Sequence, residues 1–176
     1  MSIRKIPILV KIILFQGFFL LLHYLYDWFP NNLLSLISGI DESVYQHMKI
    51  GFFAYIVLVV LEYFVIRKSL NSMSKYIYSR LFTASYYPLV MMVIYLLGPM
   101  IFGQFDNIPA EIIFANIALL LTSLSAFIVE RHIEGYQPSL GFKIIAAFLF
   151  FVSLSQFIIF TFELPWFDIF AIPPGW

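Results

Sequence analysis

Residues 43–66 read SVYQHMKIGFFAYIVLVVLEYFVI, and this stretch decides the fold. After a polar opening turn it stays apolar long enough to cross a bilayer, which takes about 20 residues rising about 1.5 Å each. Lipid offers the backbone no hydrogen-bond partners, so such a segment must be helical. Four further stretches have the same character: 6–28, 83–103, 109–129 and 142–162. The expectation is an all-α polytopic membrane protein. It has one transmembrane domain over 1–176, five spanning helices, and an outer C-terminal segment over 163–176.

Composition leads to the same class. Of 176 residues, 62% are hydrophobic and 11% charged, with a mean hydropathy of +0.93. A soluble domain is about 45–50% apolar and about 25% charged, and a globule this small could not hide the excess. The absence of cysteine removes disulfides, thiolate metal sites, iron–sulfur clusters and thiol nucleophiles together. No phosphate-binding glycine loop, nucleophile elbow or paired-histidine zinc motif occurs. The first span ends without a small-residue cleavage site and holds Gln16 and His23, so it reads as a retained helix.

The breaks between spans carry the expected punctuation. Phe29-Pro30-Asn31-Asn32 closes the first, and Gly39-Ile40-Asp41-Glu42-Ser43 opens the second with capping residues. Asp106-Asn107-Ile108-Pro109 places a proline at the start of the fourth, where its missing N–H costs nothing. Glu134 to Pro138 separates the fourth from the fifth. Arg4, Lys5, Lys11, Arg67, Lys68, Lys75, Arg80, Arg131 and Lys143 fall on one side, and only Lys49 on the other. By the positive-inside rule the N-terminus is cytoplasmic and the C-terminus extracytoplasmic. The expected location is the cell (plasma) membrane, crossed several times. These basic residues follow topology, so no nucleic-acid surface is expected. Tyr24, Tyr26, Trp28 and Phe29, then Trp166, Phe167 and Trp176, suit an interfacial aromatic belt.

Ionisable groups inside a membrane are costly unless paired or hydrated. On the first span Gln16, His23 and Asp27 recur at i, i+7 and i+11; on the second Ser43 and His47 are i, i+4. His23, His47, Asn116 and Gln156 lie at similar depth below the outer boundary, with Asp27, Glu42 and Glu163 above them. Turned inward, these faces would line one outward-opening polar pocket of Gln16, Ser43, Asn116, Gln156 and Glu163 around a metal set of His23, His47, Asp27 and Glu42. Two imidazoles beneath carboxylates suit zinc or manganese, and suit equally a proton relay or a hydrogen-bonded lock between helices. Glu62 is expected to pair or snorkel at the inner end of its span. The run 130–134 reads as a solvated turn containing His132. The tail 163–176 reads as a lid, an interfacial anchor or a partner surface.

The motif from His23 to Lys49, His-Tyr-Leu-Tyr-Asp-Trp followed by Asp-Glu-Ser-Val-Tyr-Gln-His-Met-Lys, resembles an uncharacterised family of small prokaryotic five-helix membrane proteins. Glu42, Ser43, His47 and Lys49 match the motif of that family, whereas Asp41, Tyr45, Gln46 and Met48 depart from it. The resemblance implies a five-helix fold and no activity. Ser43-xxx-His47 is also similar to a fragment of the seven-helix membrane hydrolases of the ceramidase and adiponectin-receptor type, which hold zinc. Their paired His-xxx-His is absent here.

Three functions stay open at this point. One is a binding or accessory membrane subunit, with lipids and either a protein partner or a second copy of the chain around it. The second is a metal-dependent hydrolase acting on lipid or amide substrates at the outer leaflet. The third is a small-ion or proton pathway, although the second span is almost wholly apolar between Ala54 and Leu61.

Overall fold

The computed structural model describes residues 6–103, 107–165 and 168–172. Arg4, Lys5, Asp106, Trp166, Phe167 and the stretch 173–176, which carried part of the charge, belt and tail expectations, lie outside the described residues. Six α-helices follow in order: α1 Ile8–Trp28, α2 Asn32–Ser35, α3 Val44–Ile66, α4 Met73–Phe102, α5 Ile108–Gly135 and α6 Leu140–Phe162. Among the described residues there is no strand. All but the four-residue α2 are long and apolar enough to span a membrane, so the chain is a multi-pass membrane protein.

Helix starts are set by short polar side chains. Ser43 accepts from the Gln46 amide, Ser72 from Lys75, Asn107 from Ala110 and Ser139 from Phe142, each satisfying a first-turn donor that has no partner within its helix. Pro109 occupies the first turn of α5 as expected. Asn31 caps α2, accepting from the Leu33 and Leu34 amides.

Three boundaries differ from those read in the sequence. The third helix begins at Met73 rather than 83, the fourth continues to Gly135 rather than 129, and the first connector contains α2. A hydropathy window finds only the lipid-matched part of a helix. The backbone ladder continues where one face still finds protein, as at Tyr76, Ser79, Arg80 and Glu130, which are all buried. The run 130–134 is therefore helical, with Glu130 turned inward.

α3 and α4 hold the centre. α3 packs against α1 and α4, and α4 against α3, α5 and α6. Close approach depends on small residues. A Cβ on Gly98 of α4 would stand 2.5 Å from the Phe114 ring of α5, and one on Gly51 of α3 would stand 3.0 Å from the Tyr87 ring of α4. α6 is the most lipid-exposed helix: 17% of its most apolar window is buried, against 50% for α3. Its inward face meets α3 through Phe157, whose ring lies near those of Tyr45 and Phe52.

Candidate metal centre

Three side chains meet where α1 ends and α3 begins. His23 projects from the last turns of α1, Glu42 lies just before the start of α3, and His47 is one turn into α3. The Nε2 atoms of His23 and His47 are 3.2 Å apart, and Glu42 Oε2 is 3.4 Å from each. The three donor atoms thus form a nearly equilateral triangle. Zinc bonds of about 2.0–2.1 Å at tetrahedral angles separate ligand atoms by about 3.3 Å. The triangle therefore has the dimensions of one face of a zinc tetrahedron.

Local structure aims the rings. The His47 Nδ1–H donates to the Ser43 carbonyl at 2.9 Å, since a carbonyl can only accept. A neutral His47 consequently turns the Nε2 lone pair toward the cluster. This backbone anchor is the kind of outer contact that orients metal-bound imidazoles. Asp41 Oδ1 accepts from the Ser43 amide at 2.8 Å, fixing the turn that delivers Glu42. His23 Nδ1 is buried with no hydrogen-bond partner among the described residues. The hydrogen bond from His23, offset by partial burial and reinforced by the nearby imidazole charges, holds the Glu42 carboxyl below its ordinary value of 4.5.

The cluster forms one wall of a cavity of about 230 Å³ between α1, α3, α4 and α5. Phe19, Leu20, Met91, Ile112, Ala118 and Leu119 make its apolar surface. Tyr95 and Glu111 add a second polar edge, where the Tyr95 hydroxyl donates to Glu111 at 2.9 Å.

The structure brings together only part of the set expected from sequence. His23, Glu42 and His47 converge. Asp27 is exposed and stands outside the cluster. Ser43 is buried beneath His47, and Asn116 reaches the cavity wall with its amide donating to the Ile112 carbonyl. Gln16 and Gln156 are half-buried away from the cavity, and Gln156 contributes only its carbonyl, which accepts from Tyr45. Glu163 is exposed at the end of α6. The described part of the tail turns back through Phe170, whose ring lies 4.4 Å from that of Tyr45.

Glu62 pairs, as expected, but sequence reasoning missed the second polar centre it belongs to, at the opposite end of the bundle. Lys11 Nζ is 3.1 Å from Glu62 Oε2 and 2.5 Å from Glu130 Oε1. Arg80 reaches Glu62 at 3.2 Å, Glu130 at 3.4 Å and Glu134 at 3.1 Å, and Tyr55 donates to Glu130. Two cations thus bridge carboxylates from α3 and α5 in a nearly water-free interior, leaving a cavity of about 10 Å³, the space of a single water. The available signal was carboxylates at 62 and 130 on the side where the basic residues collect. Between the two centres Phe15 packs against Phe19, Tyr87 and Phe127, and Phe127 against Tyr55.

No curated protein and no solved structure matches the chain. One family model does, over residues 2–172, and its description states no activity. The chain belongs to that family, the family of unknown function DUF6512.

Proposed function

We propose that this chain is a membrane-embedded binding protein for a divalent transition-metal cation, held by His23, Glu42 and His47. The observation that carries this reading is the donor triangle with edges of 3.2, 3.4 and 3.4 Å. Two imidazoles and one carboxylate suit zinc better than manganese, which prefers oxygen-rich shells. The distribution of basic residues supports an extracytoplasmic position for this end of the bundle in the cell membrane. The packed aromatic rings between the two polar centres speak against an ion pathway through the bundle.

The test is elemental analysis of protein purified in mild detergent and equilibrated with zinc. One zinc per chain is expected, with loss on His47→Ala and on Glu42→Ala. A wild-type chain without zinc, or an undiminished content in His47→Ala, would overturn the reading.

A second reading is hydrolysis, favoured because three ligands leave a fourth position and the cluster lines an open cavity. A zinc-bound water reaches a pKa of about 7 and becomes a nucleophile at neutral pH. Its hydroxide would add to an ester or amide carbonyl carbon, and its proton would leave with the departing alcohol or amine. Zinc-dependent release of fatty acid from acyl lipids, abolished by a chelator and restored by zinc, is the result this reading requires.

A further inference from the structure

Contacts among the described residues join α1, and Ile6 just before it, to α5 below the level of the histidines. Lys11 meets Glu130, the Arg131 guanidinium donates to the Ile6 carbonyl at 2.7 Å, and the Phe15 and Phe127 rings lie 6.1 Å apart. The first two belong to the end away from the histidines, and the ring pair lies between the two polar centres. At the histidine end the space between the two helices is the cavity itself. Leu20 and Tyr24 form its α1 edge and Ile112 its α5 edge, with exposures of 51%, 47% and 44%. The cavity therefore has a mouth on the lateral surface of the bundle, at a level where the surroundings are lipid.

Depth and volume describe the occupant. His23 lies five residues before the end of α1, about 7 Å along the axis. That is the level at which the acyl chains of a lipid begin, just inside the polar headgroup region of the bilayer. The cavity of about 230 Å³ is many times the space that one water needs. This accommodates a headgroup linkage and the first few methylenes, while the remaining chain stays in the bilayer beyond the seam. The apolar wall suits the chain, and the polar features among the described residues are the His/Glu cluster, the Tyr95–Glu111 pair and Asn116, whose amide is held by the Ile112 carbonyl.

We infer that the cavity is a binding site for one membrane acyl lipid, which enters between α1 and α5 and presents its ester or amide linkage to the His23–Glu42–His47 cluster. The chain-binding part stands on the seam and the cavity. The orientation of the head rests on the metal reading above.

The experiment uses proteoliposomes containing a phospholipid with a photoreactive diazirine near the carbonyl end of its acyl chain. Adducts are mapped by mass spectrometry, and zinc is measured on the same samples. Labelling is expected to concentrate on peptides containing Leu20 and Ile112, at least fivefold above the outward face of α6 at Phe148 and Phe151. Ala118→Phe, which fills the cavity from α5, should abolish that excess while zinc stays at one per chain. Ala115→Trp, at a half-buried position on the same wall, provides a second blocked variant should the first fail to fold. Uniform labelling of all lipid-facing helices, or cavity labelling undiminished in both blocked variants, would overturn the inference. Focused labelling in a wild-type chain that binds no zinc would sustain the lipid site and overturn the metal reading alone.

Discussion

His23 Nε2 and His47 Nε2 face each other at 3.2 Å across the α1–α3 contact, with Glu42 Oε2 at 3.4 Å from both. Two imidazoles held this close share one proton or one cation. Since the His47 Nδ1–H is committed to the Ser43 carbonyl, the His47 Nε2 lone pair is left to accept either the His23 Nε2 proton or, on the proposed reading, a cation.

The division between convergent and exposed residues predicts metal affinity. Removing an outer contact of a metal ligand costs about 10–100-fold in affinity, so removing a ligand should cost more. His23→Ala should weaken zinc binding beyond 100-fold in a competitive chelator titration. Asp27→Asn, at an exposed residue outside the triangle, should leave it unchanged.

The ion cluster at the other end should govern stability. Lys11→Met leaves Glu62 and Glu130 buried with Arg80 as their remaining cation, and breaking one partner from a buried pair costs about 3–5 kcal/mol. Unfolding in mixed detergent micelles should register that loss. The double change Lys11→Met with Glu130→Gln should cost less than the sum of its parts, because the two side chains interact directly.

Acidification should act through Glu42 in metal-free protein. Its carboxyl is held below the ordinary 4.5, so its charged form favours the folded state. That contribution is present above the unfolded value and is lost as pH falls through the lower, folded one. Melting temperatures recorded from pH 6 downward should therefore fall more steeply below about pH 5 for the wild type than for Glu42→Gln.

Helix spacing predicts a compensating pair. A methyl on Gly98 meets the Phe114 ring at 2.5 Å, and overpacking of this kind costs about 1–3 kcal/mol. Gly98→Ala should lower the melting temperature, and adding Phe114→Leu should recover much of the loss.

The five spans were legible in the sequence, and so were the residues on either side of the first connector. His23, Glu42 and His47 could be placed together because a short connector and a fixed rise per residue leave little freedom. Azimuth was not legible. Gln156 was expected at the depth of the histidines, yet α6 docks against α4 and the far side of α3, so Gln156 and Glu163 miss the cavity. Asp27 follows His23 by one turn, but that turn faces outward. The Lys11–Glu62–Arg80–Glu130 cluster draws on four helices with partners up to 119 residues apart. A topology rule that counts Lys11 and Arg80 as inner-surface charges accounts for them without pairing them.

Lys49 is fully buried, and its ammonium donates to the Ser35 carbonyl at 2.8 Å and to Thr161 Oγ1 at 3.2 Å. One side chain thereby fastens the connector before Glu42 to the end of the last helix. The His23–Glu42–His47 triangle comes from α1 and the start of α3, but its brace reaches Thr161, 112 residues beyond Lys49 along the chain. A nascent chain halted after α3 therefore carries all three side chains and lacks the Thr161 half of the clamp that steadies them, so the brace is complete only once α6 has been inserted.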